Sequence, residues 1–191
     1  MNYTGCRPLS DDEIARLLLG CRGRYGSRDR LLILLGVYTG YRISEILSLH
    51  VADVWKEGQV CTIVRIAAGF MKGKSHSRSM PLHARVKAAI KTWLLETAKT
   101  NPESAHLPLF SCQRTSRPLS RRQAADVLVV AAQMANIDST RIATHSLRKS
   151  FARRMWESPI VERDPAKMAR LLVPSIRVNH RWDRLVSIFW V

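Results

Sequence analysis

Three short stretches of this sequence carry residue types suited to phosphate chemistry. In Thr39-Gly40-Tyr41-Arg42-Ile43-Ser44-Glu45, an arginine follows a glycine turn and opens a short apolar segment. A guanidinium held near a helix N-terminus can bind a phosphate through two parallel hydrogen bonds. The same spacing allows a blander arrangement, a surface pair of Arg42 with Glu45 on one helix face. In Ala143-Thr144-His145-Ser146-Leu147-Arg148-Lys149, His145 and Arg148 stand three apart, so a helix places both on one face. Imidazole with guanidinium suits phosphoryl transfer. The arginine offsets charge developing on the phosphate oxygens, and the histidine gives or takes a proton. The plainer alternative is a basic helix lying against a nucleic-acid backbone, with Arg153 and Arg154 sharing the contacts. The third stretch is the polar run Lys72-Gly73-Lys74-Ser75-His76-Ser77. A lysine on a β-turn could protonate a leaving oxygen, or could only touch phosphates; spacing does not separate Lys72 from Lys74.

These groups need elements to hold them. Ser10-Asp11-Asp12-Glu13 reads as a capping box, and Ile14, Leu17 and Leu18 follow at helical spacing, so a helix is expected over about 10–21. A second helix should start at Ser27 or Asp29, run through Leu31, Leu34 and Leu35, weaken at Gly36 and stop at Thr39-Gly40. A short third should span Arg42 to about Leu49. The β-branched run Val60–Ile66 reads as one strand, and Arg78–Leu82 as its return across the lysine tip. Helical spacing resumes at Val86, Ile90, Trp93 and Leu94. Ser120 with Gln123 caps a helix through Val127 to Met134, Thr144 is placed to cap a helix His145–Trp156, and Asp164-Pro165 can start one more. The expected fold is mainly α with a small antiparallel β-sheet, an α+β arrangement.

Composition narrows the partner. Among 191 residues, 31 Lys and Arg stand against 15 Asp and Glu, a net charge of +16. Such an excess attracts polyanions, nucleic acid above all. Hydrophobic residues make up 46%, enough for a packed core and against global disorder. The apolar run Leu31–Leu35 is far too short to cross a bilayer, so no membrane partner is expected. The N-terminus does not read as a secretory signal. Cys6, Cys21, Cys61 and Cys112 show no close pairing, which disfavours a zinc site or disulfide framework and points to a reducing cytoplasm. Aromatic residues, at 7%, are too few and too scattered for the stacking platforms of common RNA-binding modules.

Taken together and in order, these stretches resemble the catalytic domain of the tyrosine recombinases, the phage integrase family. The likeness rests on Thr39–Leu49, on Lys72–Leu82 and on His145-Ser146-Leu147-Arg148-Lys149-Ser150-Phe151-Ala152. Arg117-Pro118-Leu119-Ser120 resembles the lead-in to the family's middle helix, and Arg7-Pro8-Leu9-Ser10 the start of its catalytic domain. The resemblance implies a catalytic-like domain over 7–172 and site-specific recombination of double-stranded DNA. By it, Arg42 and Arg148 would grip the scissile phosphate. Lys72 would be general acid for the leaving 5′ oxygen, and His145 would assist proton transfer. Lys74, Lys149 and Arg153 are expected to contact DNA. A tyrosine would form a 3′-phosphotyrosyl intermediate, which stores the bond energy, so neither metal nor other cofactor is needed. The family also implies assembly of several copies on DNA.

The likeness stops near Leu172. The family continues with Leu-Leu-Gly-His and then its tyrosine; this chain reads Leu171-Leu172-Val173-Pro174, and its tyrosines are Tyr3, Tyr25, Tyr38 and Tyr41. The tyrosine position falls near Asp183, which cannot do the same chemistry, so no nucleophile is assigned. Residues 173–191 are read as a divergent tail, with a reading-frame change near Leu172 as one explanation. The alternative to an impaired recombinase is a DNA-binding remnant or regulator of the same fold that does not cut.

Overall fold

Helix α2 (Gly26–Thr39) organises the molecule because from Leu31 to Val37 it is apolar on every side. Residues 31–37 are all buried, and a helix of that kind must be covered all round. In the computed structural model, which describes residues 5–70, 77–112 and 117–157, α5 (Ala84–Glu96) and α7 (Thr144–Glu157) supply most of that cover. Helix α1 (Asp11–Gly20) packs on α6 (Arg121–Met134). Between α2 and α5 lie two short helices, α3 (Ile43–Leu47) and α4 (Val51–Val54), and two hairpins. Lys72 and Lys74, the helix expected from Asp164-Pro165 and the tail 173–191 lie outside the described residues.

The caps read from sequence are in place. Ser10 Oγ accepts from Glu13 N at 3.1 Å while a Glu13 carboxylate oxygen accepts from Ser10 N at 2.9 Å. Ser120 and Gln123 make the same reciprocal pair. Helix α7 starts differently from expectation. Thr144 is its first residue and not its cap; Ser146 Oγ accepts from Ala143 N at 3.1 Å and closes the N-terminus.

Gly36, expected to weaken α2, sits where α7 comes closest. A Cβ there would stand 2.6 Å from a Leu147 methyl, so the missing side chain sets the spacing of the two helices. The single strand expected over Val60–Ile66 is two. Strands β1 (Trp55–Lys56) and β2 (Gln59–Val60) form a tight hairpin through Glu57 and Gly58, both with positive φ, at 50° and 76°. After a break at Cys61-Thr62, β3 (Ile63–Ile66) pairs antiparallel with β4 (Arg78–Pro81), with Val64 opposite Met80 and Ile66 opposite Arg78.

Candidate functional site

The site begins with the turn that ends α2. Thr39 Oγ1 donates to Leu35 O at 2.6 Å and accepts from Tyr41 N at 3.3 Å. Gly40 takes a left-handed conformation, φ 60°, and its amide bonds back to Gly36 O. A Cβ on Gly40 would fall 2.3 Å from the Phe151 ring, so α7 lies directly against the turn. The chain leaves this turn at Arg42, the residue that precedes α3.

Glu45 fixes Arg42. Its carboxylate is fully buried; Oε2 accepts from Arg42 N at 2.7 Å and Oε1 from Arg42 Nη1 at 2.9 Å. The pairing that the sequence offered as the bland reading is therefore present. It orients a guanidinium that remains about one-third exposed. Arg148 Nη1 donates to Gly40 O of the same turn. Two arginines 106 positions apart in sequence thus flank one turn. His145, one helical turn before Arg148 and on the same face, is exposed.

The electrostatics show how close these groups are. Burial, then the charges of Arg42 and Arg78, push the Arg148 guanidinium down to about 10, partly countered by Glu45. Burial, then Arg148, Arg42 and Lys149, hold the His145 imidazole below its usual range. The lowering favours the neutral imidazole at His145. Arg148 and His145, lowered in this way, are relieved by an anion placed beside them.

Arg78 was not among the candidates read from sequence. It is 4% exposed, donates to Thr39 O at 3.1 Å and lies over the Tyr41 ring, 5.0 Å from its centroid. Its Nε is the one buried side-chain polar atom without a partner among the described residues. Burial and the neighbouring Arg42 lower its basicity, while Tyr41 and Glu45 raise it. One sequence signal could have found it: Arg78, Met80 and Leu82 form the inward row of β4 and its exit, so an arginine leads an otherwise apolar set. Tyr41 is as deeply buried. Its hydroxyl donates toward Val64 O and Arg78 O, and burial raises the phenol well above its ordinary range.

Lys149 and Arg153, the remaining expected contacts among the described residues, have partners of their own. Lys149 donates from Nζ to Cys6 O at 2.7 Å, tying the segment before α1 to α7, and Ser150 Oγ accepts from Leu9 N at 2.8 Å. Arg153 is exposed and pairs with Glu157 at 2.7 Å.

A mainly helical domain with this element order and this arginine-flanked turn has the catalytic-domain fold of tyrosine recombinases. The XerA recombinase superposes with a TM-score of 0.67 at 18% identity, over 98% of this chain and 67% of that one. The Tn1549 transposon integrase in complex with transposon right end DNA gives 0.69 at 15% identity, over 100% of this chain and 63% of the other. The sequence model of the phage integrase family matches residues 7–168, and the chain belongs to that family. It is 30% identical over 156 residues to the probable integrase/recombinase YoeC of Bacillus subtilis, covering 80% of this chain and 76% of YoeC. It is 35% identical over 124 residues to the type 1 fimbriae regulatory protein FimE of Escherichia coli, covering 64% and 59%. It is 35% identical over 130 residues to tyrosine recombinase XerD of Corynebacterium glutamicum, covering 68% of this chain and 40% of XerD. No helix among the described residues is long and apolar enough to cross a membrane.

Proposed function

We propose that this domain binds double-stranded DNA and grips one backbone phosphodiester between Arg42 and Arg148, as the phosphate-holding part of a site-specific recombinase. The observation that carries the reading is the shared turn. Glu45 orients Arg42, Gly40 O anchors Arg148, and the Arg148 guanidinium lies in the field of Arg42. That arrangement offers two planar forks to one phosphate, and their mutual repulsion falls when the anion enters. His145, neutral before binding, becomes more basic once a phosphate is present and can then hold a proton at the reacting group. Lys72 is proposed as general acid on the 5′ oxygen by family likeness, with Lys74 as a DNA contact. Lys149 positions α7 through Cys6, and Arg153 lies along the same basic helix. Several copies on one duplex, in the cytoplasm and free of any membrane, complete this proposal.

Strand cleavage through a 3′-phosphotyrosyl intermediate is the family chemistry, and this chain is proposed to be impaired in it. Tyr41 commits its hydroxyl to two carbonyls, and Tyr38 is stacked against His83. The residues proposed as the catalytic-like domain are 7–172, with 173–191 as a divergent tail. These tyrosine placements favour the second reading, a DNA-binding remnant or regulator that does not cut. A nicked suicide duplex separates the two. Salt-sensitive duplex binding without a covalent adduct is expected. An adduct would overturn the claim that the nucleophile is missing, and absent duplex binding would overturn the DNA reading itself.

A further inference from the structure

Four polar side chains from three elements meet near the C-terminal end of α2. Tyr38, near the end of α2, is partly exposed and stacks on His83, the N-cap of α5, with ring centroids 4.2 Å apart and planes 25° apart. The Arg154 guanidinium, from α7, lies 4.6 Å from the Tyr38 ring centroid. Arg85, in the first turn of α5, donates from Nη1 toward the Tyr38 hydroxyl at 3.4 Å. Among the described residues the acid at this cluster is Asp11, whose Oδ1 stands 3.4 Å from Arg154 Nε. Its side chain is 77% exposed, so the pair is weak and screened. Arg85 has no ion-pair partner among the described residues.

The lining is made of donors. His83 Nδ1 accepts from Arg85 N at 3.1 Å, so the neutral imidazole carries its proton on Nε2. The Tyr38 oxygen accepts from Arg85, which leaves its own proton to be given. With two guanidinium forks beside them, these groups match a ligand that only accepts hydrogen bonds. The field agrees: burial works to raise the Tyr38 phenol, yet hydrogen bonding and charge from Arg154 and Arg85 bring it below its usual value. Burial, then the same two arginines, keeps His83 below its ordinary range.

We infer that Tyr38, His83, Arg85 and Arg154 form a second phosphate-binding site, which takes a backbone phosphate of duplex DNA in addition to the one held by Arg42 and Arg148. The choice of DNA rests on the proposed function above; the phosphate site itself does not.

Two measurements keep these apart. The first titrates the whole protein with inorganic phosphate and follows the His83 ring by NMR. The His83 pKa should rise on saturation, and Asp11→Asn, which releases Arg154, should tighten phosphate binding by about two- to five-fold. Arg85→Gln combined with Arg154→Gln should abolish the shift while circular dichroism stays native. A His83 signal indifferent to phosphate, or a double variant that keeps the full shift, overturns the site. The second measures duplex affinity against salt. The double variant should lower the slope of log affinity against log salt by about 0.9, the loss of one phosphate contact. An unchanged slope in a protein that binds duplex overturns the assignment to the DNA backbone. Wild-type protein that takes phosphate at His83 but does not bind duplex counts against the proposed function and against this site's use on DNA, while leaving the phosphate site standing.

Discussion

Tyr41 and Arg78 clasp each other alongside the β3–β4 hairpin. The tyrosine hydroxyl reaches the carbonyls of Val64 on β3 and of Arg78 on β4, at 3.1 and 2.9 Å. The arginine reaches back to Thr39 O at 3.1 Å, with its guanidinium over the Tyr41 ring. Each residue thus holds the segment that carries the other, and the hairpin is fastened to the turn that presents Arg42. Tyr41→Phe keeps the ring and removes the bridge. It should lower stability by about 1–2 kcal/mol, read as a shifted denaturant midpoint. A midpoint equal to wild type would show that water or relaxation replaces both bonds.

Arg78→Met tests the arginine's charge apart from its bulk. A buried cation exchanged for an apolar chain of similar length often costs little stability. The folded protein should survive, but with one cation fewer near Arg148. Burial and the remaining neighbours would then depress Arg148 less, and duplex affinity at fixed salt should fall several-fold. An unchanged affinity would confine Arg78 to holding the hairpin.

Arg148→Ala should weaken duplex binding by at least ten-fold at fixed salt, since about 1.5–3 kcal/mol attends a charged hydrogen bond to phosphate. Arg148→Lys should recover only part of this, because a single ammonium cannot present a planar fork. Full recovery by lysine would reduce the site to a point charge. Anisotropy with a labelled duplex gives both numbers.

Much of the fold was legible because its signals are local. Ser10 with Glu13 and Ser120 with Gln123 announce helix starts through reciprocal bonds three residues apart, and the structure has both. The β1–β2 hairpin was missed because Glu57-Gly58 was not read as a two-residue turn, and without it Val60–Ile66 looks like one strand. Arg42, His145 and Arg148 were visible by residue type and family order. Arg78 and the Glu45 anchor depend on contacts across long separations. Spacing gives a pair such as Arg42–Glu45 but not the burial that makes Glu45 an orienting group. Lys149 looked like one more cation on a basic helix; the Cys6 carbonyl that receives it belongs to the other end of the chain.

Gly40→Ala should destabilise the domain by about 3 kcal/mol. Part comes from a left-handed backbone at φ 60°, part from a Cβ driven into the Phe151 ring. The same change displaces the carbonyl that Arg148 uses, so duplex affinity should fall in whatever protein remains folded. Thermal unfolding beside anisotropy separates the two losses. A variant that melts early but binds normally would detach the turn from the phosphate grip.

The acid limb of stability should report the start of the domain. The Arg7 hydrogen bond, together with the Ser10 contacts and the Arg7 charge, outweighs burial and holds the Glu13 carboxyl at about 2, below its ordinary 4.5. A carboxyl depressed by folding contributes stability that is present above its unfolded value and is lost as pH falls toward the folded one. The loss should therefore run from about pH 4.5 down to about 2. Glu13→Gln should flatten the pH dependence in that window and leave a less stable protein near pH 7. Arg7→Ala should do much the same, because the pair acts as one unit across the capping box. Urea midpoints at a series of pH values would show it. A Glu13→Gln profile parallel to wild type between pH 2 and 4.5 would mean that the capping bonds, and not the ion pair, hold the segment before α1 in place.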